Sequence, residues 1–197
     1  MPWARWLAFA WLAVYVPAYA SAYGAWHFLF LCNLGLLLSA AGLIFGQRLL
    51  LSSQLLVALP VGLFWIADAA SRLLSGHFLH GGTAYMWDPG LPPLVRVLSL
   101  YHLGWPLLLL GCVARDGYDR RAFALQCGVT AAVFAVALWL APEAANINYV
   151  VRWPSGDAHA PIVALAMAAV LMLAVYLPLH RALLAWQDRR PVAALVA

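Results

Sequence analysis

The amino-acid sequence predicts an all-α fold: one polytopic bundle of about six membrane-spanning helices, forming a single domain over residues 1–197. Hydrophobic residues make up 66% of the 197 residues and charged residues only 9%, whereas a soluble globular domain carries about 25% charged residues. The mean hydropathy is +0.87. So few charges cannot cover a surface that faces water, and we therefore expect lipid to be the main solvent of the folded chain.

The spacing of the apolar stretches supports this fold class, because a spanning helix needs roughly 20 mostly apolar residues. The first predicted span, residues 6–22, follows Arg5 and leads through a short turn into the second span, residues 28–46. The third span covers residues 49–67. The segment from Arg5 to Ala20 could also be a signal peptide, but we take it as a retained span because apolar sequence continues directly into the next one.

A long polar stretch separates the third and fourth spans. Residues 68–96 are rich in the Gly and Pro residues that signal turns, and they form the predicted outer loop. Loops of this length are more often functional than structural. The fourth, fifth and sixth spans follow at residues 97–114, 122–141 and 160–179.

The distribution of arginine predicts the orientation of the bundle. Six spans place both termini on one side, and eight of the eleven basic residues, all of them Arg, lie on that side. These are Arg5, Arg48, Arg115, Arg120, Arg121, Arg181, Arg189 and Arg190, against Arg72, Arg96 and Arg152 on the other side. Basic residues concentrate in cytoplasmic loops, so both termini are expected in the cytoplasm.

Several classes of function are disfavoured by composition. The chain has no Lys, so no retinal or pyridoxal Schiff base can form, and its three Cys lie in apolar runs that do not resemble a disulfide framework. No run of basic residues indicates nucleic acid. We expect membrane lipids as the partners and neither a metal nor another cofactor, while oligomeric partners are not indicated.

The polar residues on the outer side include a candidate catalytic pair, Cys32 and His102. Cys32 is five residues into its span from His27, about 7.5 Å, and His102 is six residues beyond Arg96, roughly 9 Å, at 1.5 Å per residue. The two side chains are thus predicted at similar depth. Ser99 shares a helix face with His102.

Other polar residues have supporting or simpler interpretations. Asp68 and Arg72 are four residues apart, a spacing that would let them pair at the outer end of the third span. Asn146 and Asn148 can cap or turn the chain, and His77 and His80 are expected as solvated loop residues.

The chemistry expected of the candidate pair is nucleophilic. A thiol in an apolar site is inert alone, but an adjacent His can take its proton and stabilise the thiolate. Such a pair would attack an ester carbonyl in the outer leaflet, with Arg152 or an Asn side chain stabilising the oxyanion or holding a phosphate. The simpler alternative is that Cys32 is a small core residue, which is the interpretation we give to Cys112 and Cys127.

Four short motifs, in order, resemble those of the YwaF-like integral membrane proteins. They are His27-Phe-Leu-Phe-Leu-Cys32-Asn33-Leu-Gly, Tyr101-His102-Leu-Gly, Asn146-Ile-Asn148-Tyr149-Val-Val-Arg152-Trp-Pro154 and Tyr176-Leu-Pro178, and they cover most of the chain. The resemblance extends to eukaryotic transmembrane lipid acyltransferases and, more distantly, to the androgen-induced hydrolases of fatty-acid esters of hydroxy fatty acids. It implies an integral protein of a bacterial inner membrane.

The same resemblance implies roles for individual residues. Cys32 would be the nucleophile and His102 its base, while the substrate-binding set would be Asn33, Ser99, Asn148, Tyr149 and Arg152, supported by His27, Asp68 and Arg72. Two positions depart from the pattern, since Asn33 stands where Asp is common and Tyr101 where a second His is common.

The leading hypothesis is a lipid-directed acyltransferase or ester hydrolase. One alternative is a non-enzymatic transporter or binding protein, in which the same residues contact a polar head group. A further alternative is haem ligation by His27 and His102. In each case we expect the loop residues His77, His80, Asp88 and His159 to form a layer, or lid, above an intramembrane cavity.

Overall fold

A computed structural model describes residues 2–151 and 161–189, and every regular element in these two ranges is helical. This confirms the predicted all-α class. Short 3₁₀ segments occur in the loops at Ala25–Leu29, Ala84–Trp87, Glu143–Ala145 and Ile147–Tyr149. A π-helical turn, Leu171–Tyr176, joins the last two helices. The α-helices are α1 (Pro2–Tyr23), α2 (Leu31–Phe45), α3 (Arg48–Ser75), α4 (Pro93–Leu98), α5 (Tyr101–Asp116), α6 (Ala122–Trp139), α7 (Pro161–Val170) and α8 (Leu177–Asp188).

Four helical segments in the described ranges are long and apolar enough to cross a membrane. They are Arg48–Ser75, Pro93–Asp116, Ala122–Trp139 and Ala164–Asp188. The α2 helix is apolar but has only 15 residues, and the 22-residue α1 contains several Trp and Tyr that lower its hydropathy. Large apolar side chains such as Trp6, Leu107 and Trp139 are 69–77% exposed, which suits a lipid environment and not water.

The outer loop is shorter than predicted. The α3 helix continues to Ser75, where Gly76 ends it in the left-handed conformation with φ 78°, and α4 begins at Pro93. The segment between these helices is therefore residues 76–92 and not 68–96. The polar residues after position 67 favoured a loop, but a helix satisfies its own backbone hydrogen bonds and can carry Asp68 and Arg72 at its end.

The α3 helix is the centre of the bundle and packs against α2, α5 and α6. Eight consecutive residues, 51–58, are buried, as expected for a helix surrounded on all sides. It approaches α5 closely at Gly62, where a Cβ would lie 2.6 Å from Pro106 Cγ and 2.9 Å from the His102 carbonyl oxygen. This contact fixes the position of His102 relative to α3.

Two cavities lie at opposite ends of the α1, α2, α3 and α5 helices. One, called here the arginine cavity, is lined by Arg5, Arg48 and Arg115 near the start of α1, the start of α3 and the end of α5. The other, the aromatic cavity, is lined by Tyr19 near the end of α1 and His102 near the start of α5. The two cavities are about 20 Å apart along these helices at 1.5 Å per residue.

Candidate functional site

The aromatic cavity has a volume of about 500 Å³ and contains both predicted catalytic residues, Cys32 and His102. Helix α1 contributes Tyr19 and Tyr23, α3 contributes Phe64 and Trp65, and residues 80–85 of the outer loop also line the cavity. No Arg, Asp or Glu is among the described residues that line it. The wall is therefore largely aromatic and carries no carboxylate or guanidinium, and its polar groups are hydroxyl, thiol and imidazole groups and the amide of Asn33.

Cys32 lies in the first turn of α2 and is half-buried. Its Sγ is 3.8 Å from Asn33 Oδ1. The backbone N–H of Leu31 donates to Asn148 Oδ1 at 2.9 Å. In the described part of the chain, no backbone carbonyl oxygen accepts from the N–H of Cys32 or Asn33. The N–H groups of Cys32 and Asn33 instead interact with the thiol sulfur, and the N–H groups of a first helical turn are the donors that a negatively charged group bound there would use.

His102 is buried, and its imidazole stacks on Tyr101 at 4.0 Å and on Trp65 at 5.4 Å between ring centroids. Its Nδ1 is 2.8 Å from the Ser99 carbonyl oxygen. A carbonyl oxygen can only accept, so Nδ1 carries the proton and Nε2 of the neutral ring keeps a free lone pair. The tautomer required of a general base is thus set by the backbone.

No hydrogen bond joins the Cys32 thiol to the His102 imidazole in the described part of the chain: the thiol contacts Asn33 and the Tyr101 hydroxyl, and the imidazole bonds to the Ser99 carbonyl oxygen. They do line the same cavity, as the equal-depth argument predicts. A proton would pass between them through a water molecule or after a side-chain rotation, as is common in sites without substrate.

Asn33, predicted as a substrate-binding residue, is 2% exposed and has its polar atoms occupied by the protein. Tyr15 and Tyr101 donate to its Oδ1 at 2.8 and 3.0 Å, and its Nδ2 donates to the His27 carbonyl oxygen at 2.9 Å. One amide therefore ties together α1, the turn before α2, and α5. This places Asn33 as a positioning residue beside Cys32.

Asn148 and Ser99, also predicted to bind substrate, lie outside the cavity lining. The Asn148 amide donates to the Leu29 carbonyl oxygen and accepts from the Leu31 N–H, so it holds the start of α2 in place. Ser99 is fully buried, and it donates to the Val95 carbonyl oxygen at 2.9 Å. Its hydroxyl proton is therefore used, and it accepts from Tyr19 at 2.5 Å.

Tyr149, the remaining described member of the predicted substrate-binding set, does line the aromatic cavity. It has a positive φ of 57° and makes an edge-on contact with Phe30 at 6.1 Å. Arg152, and His159 of the predicted loop layer, lie outside the described residues.

Asp68 and Arg72 do not pair, so the predicted ion pair is wrong. Asp68 is fully buried and accepts four hydrogen bonds, from the N–H groups of His80, Gly81 and Thr83 and from the Thr83 hydroxyl, at 2.6–3.0 Å. Arg72 instead donates to the Gly76 carbonyl oxygen and lies over the Phe78 ring. Helical spacing placed the two residues on one face, but the loop folds back over the end of α3 and its N–H and hydroxyl groups donate to the Asp68 carboxylate.

The segment that Asp68 holds, residues 80–85, forms one wall of the aromatic cavity and is called here the roof segment. His77 and His80 are both exposed loop residues, as predicted. His80 is also hydrogen-bonded, since its Nδ1 accepts from the Gly82 N–H and its Nε2 donates to the Phe64 carbonyl oxygen. Tyr85 accepts from Trp65 Nε1 at 2.8 Å.

His27, predicted as a supporting residue, lies in the turn between α1 and α2 and lines the cavity. Its imidazole stacks on Tyr23 with the ring centroids 4.1 Å apart. Burial lowers the pKa of His27 to about 4, so the ring is neutral at pH 7.

The sequence interpretation did not include three tyrosines that line the aromatic cavity, Tyr19, Tyr23 and Tyr85, among the candidate site residues. Tyr15, Tyr19 and Tyr23 are spaced four apart, which places them on one face of α1. Their rings follow one another at centroid distances of 4.2 and 5.5 Å. This spacing was a usable signal, whereas nothing in the sequence places Trp65 and Tyr85 in contact.

Among residues 2–151 and 161–189, no group of three His, Cys, Asp or Glu side chains is arranged to hold a metal ion. His27 and His102, the pair a haem would need, both line the aromatic cavity. The fold and this cavity define the class of protein: an all-helical chain with apolar helices able to span a membrane around an uncharged aromatic cavity. No family model, no curated protein and no solved structure matches the chain.

Proposed function

We propose that all six predicted spans cross the membrane, with both termini in the cytoplasm and the aromatic cavity toward the outer leaflet. The support is that α1 and α2 run between the same two cavities as α3 and α5, two of the helices able to cross. The concentration of Arg at the opposite end sets the orientation. Reporter fusions after Gly46 and Gly117 should both report the cytoplasm, and a fusion after Gly90 the outside; any other pattern contradicts this topology.

We further propose that the protein is an acyltransferase or hydrolase acting on a lipid ester, with Cys32 as nucleophile and His102 as base. One observation carries the proposal: a thiol at the start of α2, beside the backbone N–H groups of Cys32 and Asn33, shares a cavity with an imidazole whose Nδ1–H is bonded to a carbonyl and whose Nε2 carries the lone pair. Nucleophile, base and oxyanion donors are the three parts that acyl transfer requires.

The proposed reaction has two steps. His102 Nε2 takes the Cys32 proton, the thiolate sulfur bonds to the ester carbonyl carbon, and the oxyanion accepts from the N–H groups of Cys32 and Asn33. The carbon–oxygen bond then breaks and the leaving alcohol takes the proton from His102. In the second step an acceptor hydroxyl, or water in a hydrolase, attacks the thioester and its proton returns through His102 to the thiol.

The cavity wall supports an apolar acyl chain as the bound group. Its lining carries no described charge, and its aromatic rings and apolar side chains would contact a hydrocarbon chain without desolvating an ion. The hydroxyl of Tyr23, which lines the cavity, would orient the ester.

The test is acylation of the purified protein in nanodiscs by a phospholipid with an alkyne-tagged acyl chain. Wild type should acquire a tag that hydroxylamine removes, and Cys32→Ala should not. Cys127→Ala is the matched control, because that thiol is half-buried but lies outside the cavity, and it should label like wild type. Tagging that persists in Cys32→Ala would exclude this nucleophile.

His102→Asn tests the base separately. Asn can still donate to the Ser99 carbonyl oxygen but has no basic nitrogen, so the acylation rate should fall about 10²–10⁴-fold while the fold is retained. The rate of the variant should also lose the pH dependence that a titrating base imposes. An unchanged rate would remove His102 from the mechanism.

A second candidate function is non-covalent binding or transport of an apolar molecule in the same cavity. The observation that favours it is the absence of a direct hydrogen bond between Cys32 and His102. Mass spectrometry of the detergent-purified protein distinguishes the two: a bound molecule retained equally by wild type and Cys32→Ala, with no turnover of the tagged ester, supports binding. An absorption band near 410 nm would instead identify haem.

A further inference from the structure

The second cavity, at the end of the bundle opposite the aromatic cavity, has a composition that points to an anion. It has a volume of about 140 Å³ and three of its lining residues are Arg5, Arg48 and Arg115, from three different helices. Asp116 is the acidic residue described in its wall. We propose that this arginine cavity binds a phosphate group, presented either by an anionic phospholipid or by a free phosphate ion.

The internal contacts leave a surplus of positive charge. Asp116 pairs with Arg115 through two hydrogen bonds, Nε to Oδ1 at 2.7 Å and Nη2 to Oδ2 at 2.5 Å. The second cation, Arg48, donates to the Asp116 backbone carbonyl oxygen at 3.2 Å, which positions it without neutralising it. Within residues 2–151 and 161–189, no carboxylate lies within ion-pair distance of Arg5 or Arg48.

Arg5 is directed over the turn between α2 and α3. Its Nη2 is 3.8 Å from the position a Cβ would occupy on Gly46, which has a left-handed φ of 65°. Arg5 and Arg48 therefore approach one cavity from two sides, and guanidinium groups in this arrangement form bidentate hydrogen bonds with phosphate oxygens.

The rest of the lining is mostly apolar. Leu43, Leu51 and Leu108 line the cavity together with the small residues Ala4 and Gly42. Arginines beside apolar side chains match a phospholipid, whose phosphate would meet the arginines while an acyl chain lies along the leucines. A free phosphate would use the arginines alone.

The experiment measures thermal stabilisation of the detergent-purified chain by three ligands: dioctanoyl phosphatidylglycerol, dioctanoyl phosphatidylcholine and inorganic phosphate. Phosphatidylglycerol is expected to raise the unfolding temperature at concentrations at least tenfold lower than phosphatidylcholine. If inorganic phosphate stabilises equally well, free phosphate is the ligand; if it does not, the lipid is. No stabilisation by phosphatidylglycerol or phosphate, or equal stabilisation by phosphatidylcholine, would overturn the proposal.

Two charge-matched double variants separate the cavity from general surface charge. Arg5→Gln with Arg48→Gln should weaken phosphatidylglycerol binding at least tenfold. Arg120→Gln with Arg181→Gln removes the same charge from exposed residues outside the cavity and should bind like wild type. Equal weakening in both pairs would show an unspecific charge effect and reject the site. Arg5→Gln alone, which breaks no described hydrogen bond, gives the same comparison if the first double variant does not fold.

Discussion

Replacing Asp68 with Asn should release the roof segment from the aromatic cavity. Each oxygen of the buried carboxylate accepts two hydrogen bonds, Oδ1 from the N–H groups of His80 and Gly81, and Oδ2 from the N–H and hydroxyl of Thr83. An Asn side chain has one acceptor oxygen. Its NH₂ group would face the Thr83 N–H, and two donors cannot bond to each other.

The size of the effect follows from these contacts. At least one buried N–H loses its partner, which costs about 1–3 kcal/mol, and the remaining hydrogen bonds lose the assistance of the charge. We take the total as about 3 kcal/mol, which at 1.4 kcal/mol per factor of ten corresponds to roughly 100-fold more frequent opening of the segment. Thr83→Val removes only the hydroxyl donor and should give roughly fivefold.

Hydrogen exchange measured by mass spectrometry in nanodiscs reports this opening. Peptides covering residues 80–83 should exchange faster in Asp68→Asn, and Cys32 should react faster with a membrane-permeant maleimide. Asp88→Asn is the matched control. It removes a carboxylate from the same loop, and that carboxylate accepts one exposed hydrogen bond, from the Gly90 N–H. Unchanged exchange in Asp68→Asn, or equal acceleration in Asp88→Asn, would refute the assignment of Asp68 as the anchor of the roof segment.

Three further predictions test the packing, the polar network and the titration around the cavity. Gly62→Ala should destabilise the fold by about 1–3 kcal/mol, because its Cβ would overlap the α5 backbone. Gly104→Ala, where a Cβ meets nothing within 4 Å, should leave the thermal unfolding temperature unchanged or raise it. The reverse order of the two unfolding temperatures would contradict the helix contact. Asn33→Ala should lower the free energy of unfolding by about 3–5 kcal/mol, since three hydrogen bonds are lost, and Tyr15→Phe should lower it by about 1 kcal/mol. If denaturant titrations show equal decreases for the two variants, Asn33 is not the centre of the network. The pKa of His27 is about 4 in the folded protein, below its unfolded value near 6.5, so the stability from its neutral ring is present above pH 6.5 and is lost as the pH falls toward 4. The unfolding temperature of His27→Gln should therefore depend less on pH in this window than that of wild type. Parallel curves of unfolding temperature against pH would disprove this.

Composition and periodicity determined the fold class because they reflect the solvent. A chain that is 66% hydrophobic and 9% charged can satisfy its backbone in lipid only by forming helices or a closed barrel, and stretches of about 20 apolar residues favour helices. The rise per residue also brought Cys32 and His102 to similar depth, and both do line one cavity. These inferences need only distances along a helix.

The partners of the polar groups were decided by the tertiary structure. Asn33 and Asn148 were interpreted as substrate ligands, but their amides bond to α1, α5 and the start of α2, which are distant in sequence. Asp68 was paired with Arg72 by helical spacing, yet the returning loop satisfies its carboxylate. A buried polar group bonds to whichever donor the fold brings within about 3 Å, and that donor can lie more than a hundred residues away. The sequence alone thus determined the helical class and placed Cys32 and His102 at one level, while only the packed bundle decided which polar groups line the cavity and which bond to the protein itself.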